Sequence, residues 1–312
     1  MRIVFCGTPE FAVPSLQRLA AEPGISVEAV ITQPDRPRGR GQQVSACPVK
    51  EAALAGNLHV YQPETIKSDS AQEFLKRVAP DAVVIIAYGQ IIPARLLTIP
   101  RLGWINLHAS LLPRYRGAAP IHWAIANGET TTGLSTMQID AGMDTGPTLL
   151  QQELKIGADE TSPQLAARMS EMGASLIVDS LLRLDRGEIS PRPQDSTNAS
   201  YAPILKKEDG RIDWKRTAEE IYNRMRGFAP WPGAYSTFRG QTCQLWSRPG
   251  QIARTEKGVT PGEIISLPKE VFVVCGKGTC LRLEFVQLEG RKRISAREFA
   301  NGARIVTADR FV

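Results

Sequence analysis

The stretch W-I-N-L-H-A-S-L-L-P-R-Y-R-G-A-A-P-I-H-W, from Trp104 to Trp123, joins a strand, a loop and a helix. The β-forming residues at its start predict the strand, and the apolar pattern after Pro120 predicts the helix. Side chains alternate between the two faces of a strand, so Asn106 and His108 fall on the same face. Both polar groups are therefore available to one substrate where the strand leaves the sheet.

The Asn106 and His108 pair suits attack on a carbonyl group. A carboxamide N–H hydrogen-bonds a developing oxyanion, and an imidazole donates to the same oxygen or carries the proton of the nucleophile. Neither group is a strong nucleophile, which favours direct transfer of an acyl group between two bound substrates. For an arbitrary N-x-H motif, a buried histidine and a turn-closing asparagine would be the better interpretation. The residues around this motif are therefore needed to distinguish the catalytic interpretation from the structural one.

The N-terminal part of the chain has the pattern of an α/β protein. A short buried strand at Arg2–Cys6 is followed by a helix at Pro14–Ala21, and the apolar run Asp81–Ala87 is typical of a strand covered on both faces. These elements predict a Rossmann-like, doubly wound sheet with its ligands at the carboxyl ends of the strands, where Tyr88–Pro93 follows. The glycine pattern G-T-P-E-F at 7–11 is not G-x-G-x-x-G, so no dinucleotide is expected.

The sequence changes character near residue 188. Residues 188–205 are polar and rich in proline, which is typical of a linker. Beyond it, one helix and several short strands bounded by glycine predict a small β-barrel. We therefore expect a catalytic domain at 1–187, the linker at 188–205 and a second domain at 206–312.

Charge is divided unevenly along the chain. Residues 206–312 contain 20 Lys+Arg against 12 Asp+Glu, a net +8, whereas the rest contains 18 against 20, a net −2. A second basic feature is the loop P-D-R-P-R-G-R-G, which carries Arg36, Arg38 and Arg40 and is expected to be exposed. Both features suit contact with nucleic-acid phosphates, although charge alone is equally compatible with a solvated basic face.

Cysteine and histidine usage gives no sign of a disulfide framework or a metal site. The five cysteines are scattered without a C-x-x-C pair, and the three histidines form no ligand cluster with nearby carboxylates. No apolar run approaches the roughly 20 residues that a membrane helix needs. We expect a cytoplasmic protein that is monomeric, binds no metal and does not span a membrane.

Several motifs together resemble the folate-dependent formyltransferases, and the likeness covers nearly the whole chain. The motif N-L-H-A-S-L-L-P-R-Y-R-G at 106–117 is similar to the signature of that family. The motifs that agree with it are G-T-P-E-F at 7–11, T-Q-P-D-R-P-R-G-R-G at 32–41, A-Y-G-Q-I-I-P at 87–93, Q-I-D-A-G-M-D-T-G-P at 138–147 and N-R-M-R-G-F-A-P-W-P-G-A at 223–234. The resemblance implies that the C-terminal barrel is OB-like.

The resemblance implies transfer of a formyl group from 10-formyltetrahydrofolate to the α-amine of methionyl initiator tRNA. Asn106, His108 and Asp144 would be catalytic, with the Asp144 carboxylate fixing the tautomer of His108 and stabilising its positive charge. The basic loop would enter the acceptor end of the tRNA, with Arg40 as its foremost contact. The residues expected to contact the folate are Tyr88, Gly89, Gln90, Ile91, Ser110, Leu111, Leu112, Pro113 and Asp140.

Three other functions remain open at this point. A related transferase for a small amine would share the N-L-H-A-S-L-L-P motif but would not need the basic loop or the basic C-terminal domain. A hydrolase that releases formyl from the folate would use the same three residues with water as the nucleophile. A non-catalytic RNA-binding protein is disfavoured because Asn106, His108 and Asp144 are all present.

Overall fold

The computed structural model describes residues 1–38, 43–252, 260–306 and 309–312. The chain forms two compact units. The N-terminal unit comprises 1–120, 131–155 and 164–203, and the C-terminal unit comprises 121–130, 156–163 and 204–312. The domain and linker bounds expected from the sequence stay a prediction.

The first part of the chain alternates strands and helices. In chain order the elements are β1 (Arg2–Gly7), α1 (Val13–Ala20), β2 (Ser26–Ile31), β3 (Arg36–Arg38), β4 (Gln43–Ser45), α2 (Pro48–Ala55), β5 (Val60–Tyr61), α3 (Asp69–Val78), β6 (Ala82–Ile86), α4 (Ala94–Leu97), β7 (Trp104–His108), α5 (Pro120–Ala126), β8 (Thr131–Gln138), β9 (Thr148–Lys155) and α6 (Ser162–Asp185). Single 3-10 turns occur at Glu10–Ala12 and Ser196–Asn198.

Seven of these strands form one sheet within the described residues, in the order β5-β2-β1-β6-β7-β8-β9. The strands from β5 to β7 are parallel, whereas β8 and β9 run antiparallel at one edge. The connection between β8 and β9, at 139–147, is too short for a parallel crossover, which needs a dozen or more residues. The predicted Rossmann-like sheet is confirmed, with an antiparallel edge that the sequence interpretation did not include.

The centre of the sheet is apolar on both faces. All of β6 is buried, as expected for a parallel strand that is covered on both sides. Trp104, the first residue of β7, is 1% exposed, and its indole Nε1 donates a hydrogen bond to the Leu96 carbonyl at 2.8 Å. This packing fixes β7 between β6 and β8, so that His108 lies at the carboxyl end of a central strand.

The rest of the chain is mostly antiparallel β-structure. Its elements are α7 (Ala218–Gly227), β10 (Tyr235–Phe238), β11 (Gln241–Gly250), β12 (Ile264–Ser266), β13 (Val271–Val274), β14 (Cys280–Leu288), β15 (Ile294–Ser295) and α8 (Ala296–Ala303). Single 3-10 turns occur at Lys207–Gly210 and Gly276–Gly278. The strands pair in the order β10-β11-β14-β13-β12, and β15 pairs with β14.

The last residues of the chain join the two edges of this antiparallel sheet. Thr237 in β10 exchanges two backbone hydrogen bonds with Val312, both at 2.9 Å. At the other edge, Phe311 N donates to Gly262 O at 2.9 Å, and Ile264 N donates to Asp309 O at 2.8 Å. The C-terminal residues therefore close the sheet towards a barrel. The predicted small β-structure after the Rossmann-like sheet is confirmed, and its sheet is antiparallel. Among the described helices, none has the length and apolar character needed to cross a membrane.

Candidate active site

The carboxyl end of β7 brings Asn106 and His108 to one edge of the sheet. Asn106 lies beside Ile85 of β6, and His108 lies beside Ser135 of β8. The His108 side chain is 6% exposed, whereas Asn106 is partly exposed. Among the described residues, the Asn106 carboxamide has no hydrogen-bond partner, so its N–H groups are free to meet a ligand.

The two ring nitrogens of His108 face different groups. Nε2 lies 2.9 Å from the Tyr115 carbonyl oxygen, which can only accept, so the hydrogen-bond network assigns a proton to Nε2. Nδ1 lies 3.7 Å from Asp144 Oδ2, which is longer than a hydrogen bond. In the neutral ring, Nδ1 therefore carries the free lone pair and faces a carboxylate.

A backbone N–H holds the Asp144 carboxylate, and a side-chain amide holds the Asp144 main chain. Its Oδ2 accepts a hydrogen bond from Gly117 N at 2.8 Å, and its carbonyl oxygen accepts one from Gln194 Nε2 at 2.8 Å. Asp144 has a φ of 52°, in the left-handed region that non-glycine residues rarely adopt. Backbone strain of this kind persists only where neighbouring interactions impose it, and it is concentrated at functional sites.

The loop that carries Asp144 has little room for larger residues. Asp140 Oδ1 accepts hydrogen bonds from Gly142 N at 3.0 Å and from Thr145 Oγ1 at 2.7 Å. A Cβ atom on Gly146 would lie 1.8 Å from the Gln138 carbonyl oxygen, so this position requires glycine. The Asp140 carboxylate thus braces the loop through Oδ1.

Two residues with no role in the sequence interpretation support this loop. Arg116 is 3% exposed and donates from Nε and Nη2 to Gln194 Oε1, at 3.1 Å and 2.8 Å. Gln194 in turn donates to the carbonyl oxygens of Asp144 and Gly146. Arg116 lies in the P-R-Y-R-G motif, so its charge was a sequence signal for a role at this site. Gln194 lies in the predicted linker, where no local pattern indicates a role.

Hydrogen bonds with β8 hold the loop at 110–113. The Ser110 side chain is fully buried and donates to the Arg114 carbonyl at 2.5 Å. Ser135 Oγ donates to Ser110 O at 2.7 Å and accepts from Leu112 N at 3.0 Å. The Ser110 hydroxyl is thus used within the loop, whereas Leu111 and Pro113 are partly exposed and open to a ligand.

A cleft of about 900 Å³ lies in the N-terminal unit, and Tyr88, Gly89, Gln90 and Ile91 form part of its lining. The Tyr88 carbonyl accepts hydrogen bonds from Thr8 Oγ1 at 3.2 Å and Gln33 Nε2 at 3.0 Å. Gln90 Oε1 accepts from Ile66 N at 2.7 Å. These contacts fix the loop after β6 and leave Ile91, which is 78% exposed, projecting from it.

The Tyr88 side chain is buried beneath this cleft. Its hydroxyl has no hydrogen-bond partner among the described residues, and burial raises the pKa of Tyr88 above its ordinary value. The phenol therefore remains neutral at physiological pH.

Part of the predicted basic loop can be placed at this cleft. Arg36 is exposed and lines the same cleft, together with Lys67. Arg38 ends β3, which pairs with β4. Arg40 lies outside the described residues. No group of three or more His, Cys, Asp and Glu side chains within the described ranges is placed to hold a metal ion.

Comparison with known proteins identifies relatives along almost the whole chain. Residues 1–181 match the formyl transferase family, and residues 204–304 match the formyl transferase C-terminal domain. A methionyl-tRNA formyltransferase of Solibacter usitatus is 52% identical over 98% of this chain and 96% of the relative. A methionyl-tRNA formyltransferase of Koribacter versatilis is 51% identical over 99% of this chain and 98% of the relative.

Solved structures of distant relatives share the fold. WlaRD, a sugar 3N-formyl transferase crystallised in the presence of dTDP and 5-N-formyl-THF, has a TM-score of 0.63 and 19% sequence identity, and the match covers 94% of this chain and 99% of WlaRD. HypX from Aquifex aeolicus, in complex with tetrahydrofolic acid, has a TM-score of 0.61 and 18% identity over all of this chain and 50% of HypX.

Proposed function

As the motifs predicted, the chain belongs to the methionyl-tRNA formyltransferase family, and we propose that it transfers the formyl group of 10-formyltetrahydrofolate to the α-amine of methionyl initiator tRNA. The single observation that supports this chemistry best is the arrangement of His108 and Asp144. One ring nitrogen of His108 is held by a carbonyl, and the other faces a fixed carboxylate. The Asn106 carboxamide lies in the same strand as His108 and has no hydrogen-bond partner among the residues that the structure describes.

The three residues have separate roles in this proposal. The N–H groups of Asn106 donate to the formyl oxygen as negative charge develops on it. His108 Nδ1 takes up the proton that the attacking amine loses, and Asp144 stabilises the positive charge that forms on the ring. The Nε2–H is already bonded to Tyr115 O, so His108 supports the formyl oxygen by its charge and not by a direct hydrogen bond.

The bonds and the proton balance in this reaction. 10-Formyltetrahydrofolate supplies the formyl carbon. The new bond joins the amine nitrogen of the methionyl group to that carbon, and the bond that breaks joins the same carbon to the folate nitrogen. His108 returns the proton to the folate nitrogen, which restores the free enzyme. Asn106 and Asp144 stay unchanged and act by position and charge.

The loops of the N-terminal unit bind the two substrates in this proposal. The loops at 88–91 and 110–113, with Asp140, hold the folate mainly through backbone groups, because the Ser110 hydroxyl and the Gln90 carboxamide oxygen are already hydrogen-bonded. Arg36, Arg38 and Arg40 contact phosphates at the acceptor end of the tRNA. We propose that the enzyme works in the cytoplasm as a monomer.

A formyl-transfer assay tests the proposed function. The chain would be given 10-formyltetrahydrofolate with a labelled formyl group, together with methionyl initiator tRNA, uncharged tRNA or small amines in parallel reactions. Label on the charged tRNA alone is the expected result. Label on a small amine would indicate the related transferase, and release of free formate without preference for an acceptor would indicate the hydrolase.

A further inference from the structure

A pocket of about 220 Å³ lies wholly within the C-terminal unit, next to β11. Leu245, Trp246 and Arg248 of this strand all line the pocket. Leu245 is buried and belongs to the hydrophobic core, whereas Trp246 is partly exposed and Arg248 is exposed. Tyr222 from α7 lines it as well. The pocket therefore combines flat aromatic surface with hydrogen-bonding groups, and the proposed chemistry of formyl transfer uses none of them.

Hydrogen bonds and ion pairs link the polar groups around the pocket. The Tyr222 hydroxyl donates to Asp159 Oδ1 at 2.6 Å, and Arg248 Nη1 lies 3.3 Å from Asp159 Oδ2. Arg248 Nε lies 3.3 Å from Glu284 Oε1. Donors and acceptors thus stand side by side near an aromatic ring. A planar heteroaromatic ring with donors and acceptors on its edge, such as a nucleobase, matches this combination.

The rim of the pocket extends the aromatic surface. Trp246 lies directly across from Phe285 of β14, which is 38% exposed. The Arg293 guanidinium carbon lies 5.0 Å from the centroid of the Trp246 ring and 4.6 Å from that of Phe285. Aromatic rings and arginine planes are the surfaces on which unpaired bases stack. The three side chains form a platform of this type.

Positive charge adjoins the platform. Arg293 ends the run R-K-R at 291–293, and all three residues are exposed in the turn between β14 and β15. Over the part of the chain that the structure describes, none of the three side chains forms an ion pair. Cations that lack an ion-pair partner and lie beside an aromatic surface attract a polyanion more strongly than they attract an apolar protein.

We propose that this pocket and its rim bind an unpaired nucleobase of the RNA substrate, stacked on Trp246, while the turn at 291–293 contacts the neighbouring phosphates. The inference rests on the proposed function for the identity of the RNA. It adds a specific contact surface, which net charge alone does not locate. The surface belongs to the C-terminal unit, whereas the formyl-transfer residues belong to the N-terminal unit.

Equilibrium binding of a transcribed initiator tRNA to the full-length chain, measured by filter binding at one fixed salt concentration, tests the inference. Trp246→Leu keeps an apolar side chain, although a smaller one, but removes the aromatic face, and it is expected to weaken binding about tenfold. Trp246→Phe keeps a ring and should remain within about threefold of the wild type. Thermal melting of both variants is the control, and midpoints that agree would show that a difference in binding does not come from a difference in folding.

A charge-matched pair examines the basic turn. Arg293→Ala is expected to weaken tRNA binding about fivefold and to lower its dependence on salt, because one phosphate contact is lost. Lys269→Ala removes the same charge from an exposed residue between β12 and β13 and should leave binding unchanged.

Tryptophan fluorescence gives an independent signal. The part of the tRNA-induced quenching that comes from Trp246 should vanish in Trp246→Phe, while the affinity for tRNA persists.

The results separate this inference from the proposed function. If Trp246→Leu and Arg293→Ala bind tRNA as the wild type does, while the wild type transfers formyl to methionyl-tRNA, the nucleobase pocket is overturned and the proposed function stands. If both variants lose affinity but the wild type transfers no formyl group, the pocket is supported and the proposed function fails.

Discussion

The two units of the molecule treat charged groups in different ways. In the N-terminal unit, His108 and Asp144 have side chains that are 6% and 19% exposed, and backbone groups hold both of them. In the C-terminal unit, Arg248 and Arg282 have side chains that are 48% and 45% exposed, and both pair with Glu284 at the surface. The first arrangement permits one geometry, whereas the second can exchange its partners with solvent or a ligand.

This difference shows what each region is suited to do. A fixed, water-excluded network stabilises developing charge without reorganisation, which a chemical step needs. Exposed ion pairs contribute little to stability, typically about 0–1 kcal/mol, so they can be broken at low cost when a polyanion binds. Changes in the first region should therefore impair turnover, and changes in the second should alter affinity or stability by smaller amounts.

The largest expected effect comes from His108→Ala. Removing the imidazole takes away the proton carrier and its charge, and kcat for formyl transfer should fall about 1000-fold, within the range for general acid–base groups. Binding of tRNA should be largely kept because the imidazole is 6% exposed. Single-turnover transfer and filter binding would be measured on the same preparation.

His59→Ala is the matched control for this change. His59 lies 6.1 Å from Phe74, measured between ring centroids, and has no role in the proposed reaction. It should transfer formyl at the wild-type rate. Turnover by His108→Ala close to that of the wild type would remove His108 from the mechanism, whatever the control shows.

Gln194→Ala should have the next largest effect. The substitution removes the two hydrogen bonds that hold the carbonyls of Asp144 and Gly146. It also removes the oxygen that accepts two hydrogen bonds from the buried Arg116, which keeps Ser196 Oγ as an acceptor at 3.3 Å. Displacement of a catalytic group by about 1 Å can cost about 100-fold, so we expect kcat to fall between tenfold and 100-fold. The KM for the folate should change much less.

Gln194→Glu separates the two functions of this side chain. A carboxylate keeps an acceptor for Arg116 but cannot donate to the carbonyls of Asp144 and Gly146. If the donated bonds position Asp144, Gln194→Glu should be as slow as Gln194→Ala although it folds more stably. Wild-type turnover in Gln194→Glu would show that the support of Asp144 does not depend on Gln194.

The contrast between the units also explains what could be predicted from sequence. Apolar runs such as Asp81–Ala87 predicted the buried strands, because burial on both faces leaves a continuous apolar pattern. The alternation at Asn106 and His108 correctly placed both residues in one strand, since that relation is local. The antiparallel edge formed by β8 and β9 and the helix α8 were not predicted.

Contacts over long sequence distances could not be predicted in this way. Gln194 supports Asp144 across 50 positions, and its segment has the composition of a linker. Tyr115 serves through its carbonyl oxygen, a group that every residue has, so its identity carries no signal. The surface at Trp246 and Arg293 likewise depends on strand pairing and not on a motif.

Arginines of the basic loop should have intermediate effects. Arg36→Ala and Arg40→Ala are each expected to raise the KM for tRNA about fivefold, because each removes one phosphate contact, and to leave folate binding unchanged. Arg186→Ala, in an exposed residue of the N-terminal unit, is the charge-matched control. Equal loss of tRNA and folate binding would contradict the assignment of this loop to RNA.

The smallest expected effect concerns the closure of the C-terminal barrel. The Asp309 carboxylate accepts hydrogen bonds from Arg239 Nε at 3.0 Å and Nη2 at 2.7 Å, and one from Val306 N at 2.9 Å. The hydrogen bonds from Arg239, more than that from Val306, lower the pKa of Asp309 below its ordinary value. Asp309→Asn should reduce the free energy of unfolding by about 1 kcal/mol at pH 7.

The pH dependence of this loss identifies its cause. A carboxyl group with a lowered pKa in the folded state stabilises that state above the ordinary aspartate pKa of about 4, and it loses this contribution as the pH falls through the lowered value. The gap in urea midpoint between wild type and Asp309→Asn should therefore narrow steadily below about pH 4. Asp179→Asn removes one partner of the exposed ion pair with Arg183. Its urea midpoint should differ little from that of the wild type, both at pH 7 and in acid. A gap for Asp309→Asn that persisted in acid would show that shape, and not charge, holds the C-terminal residues against β10 and β12.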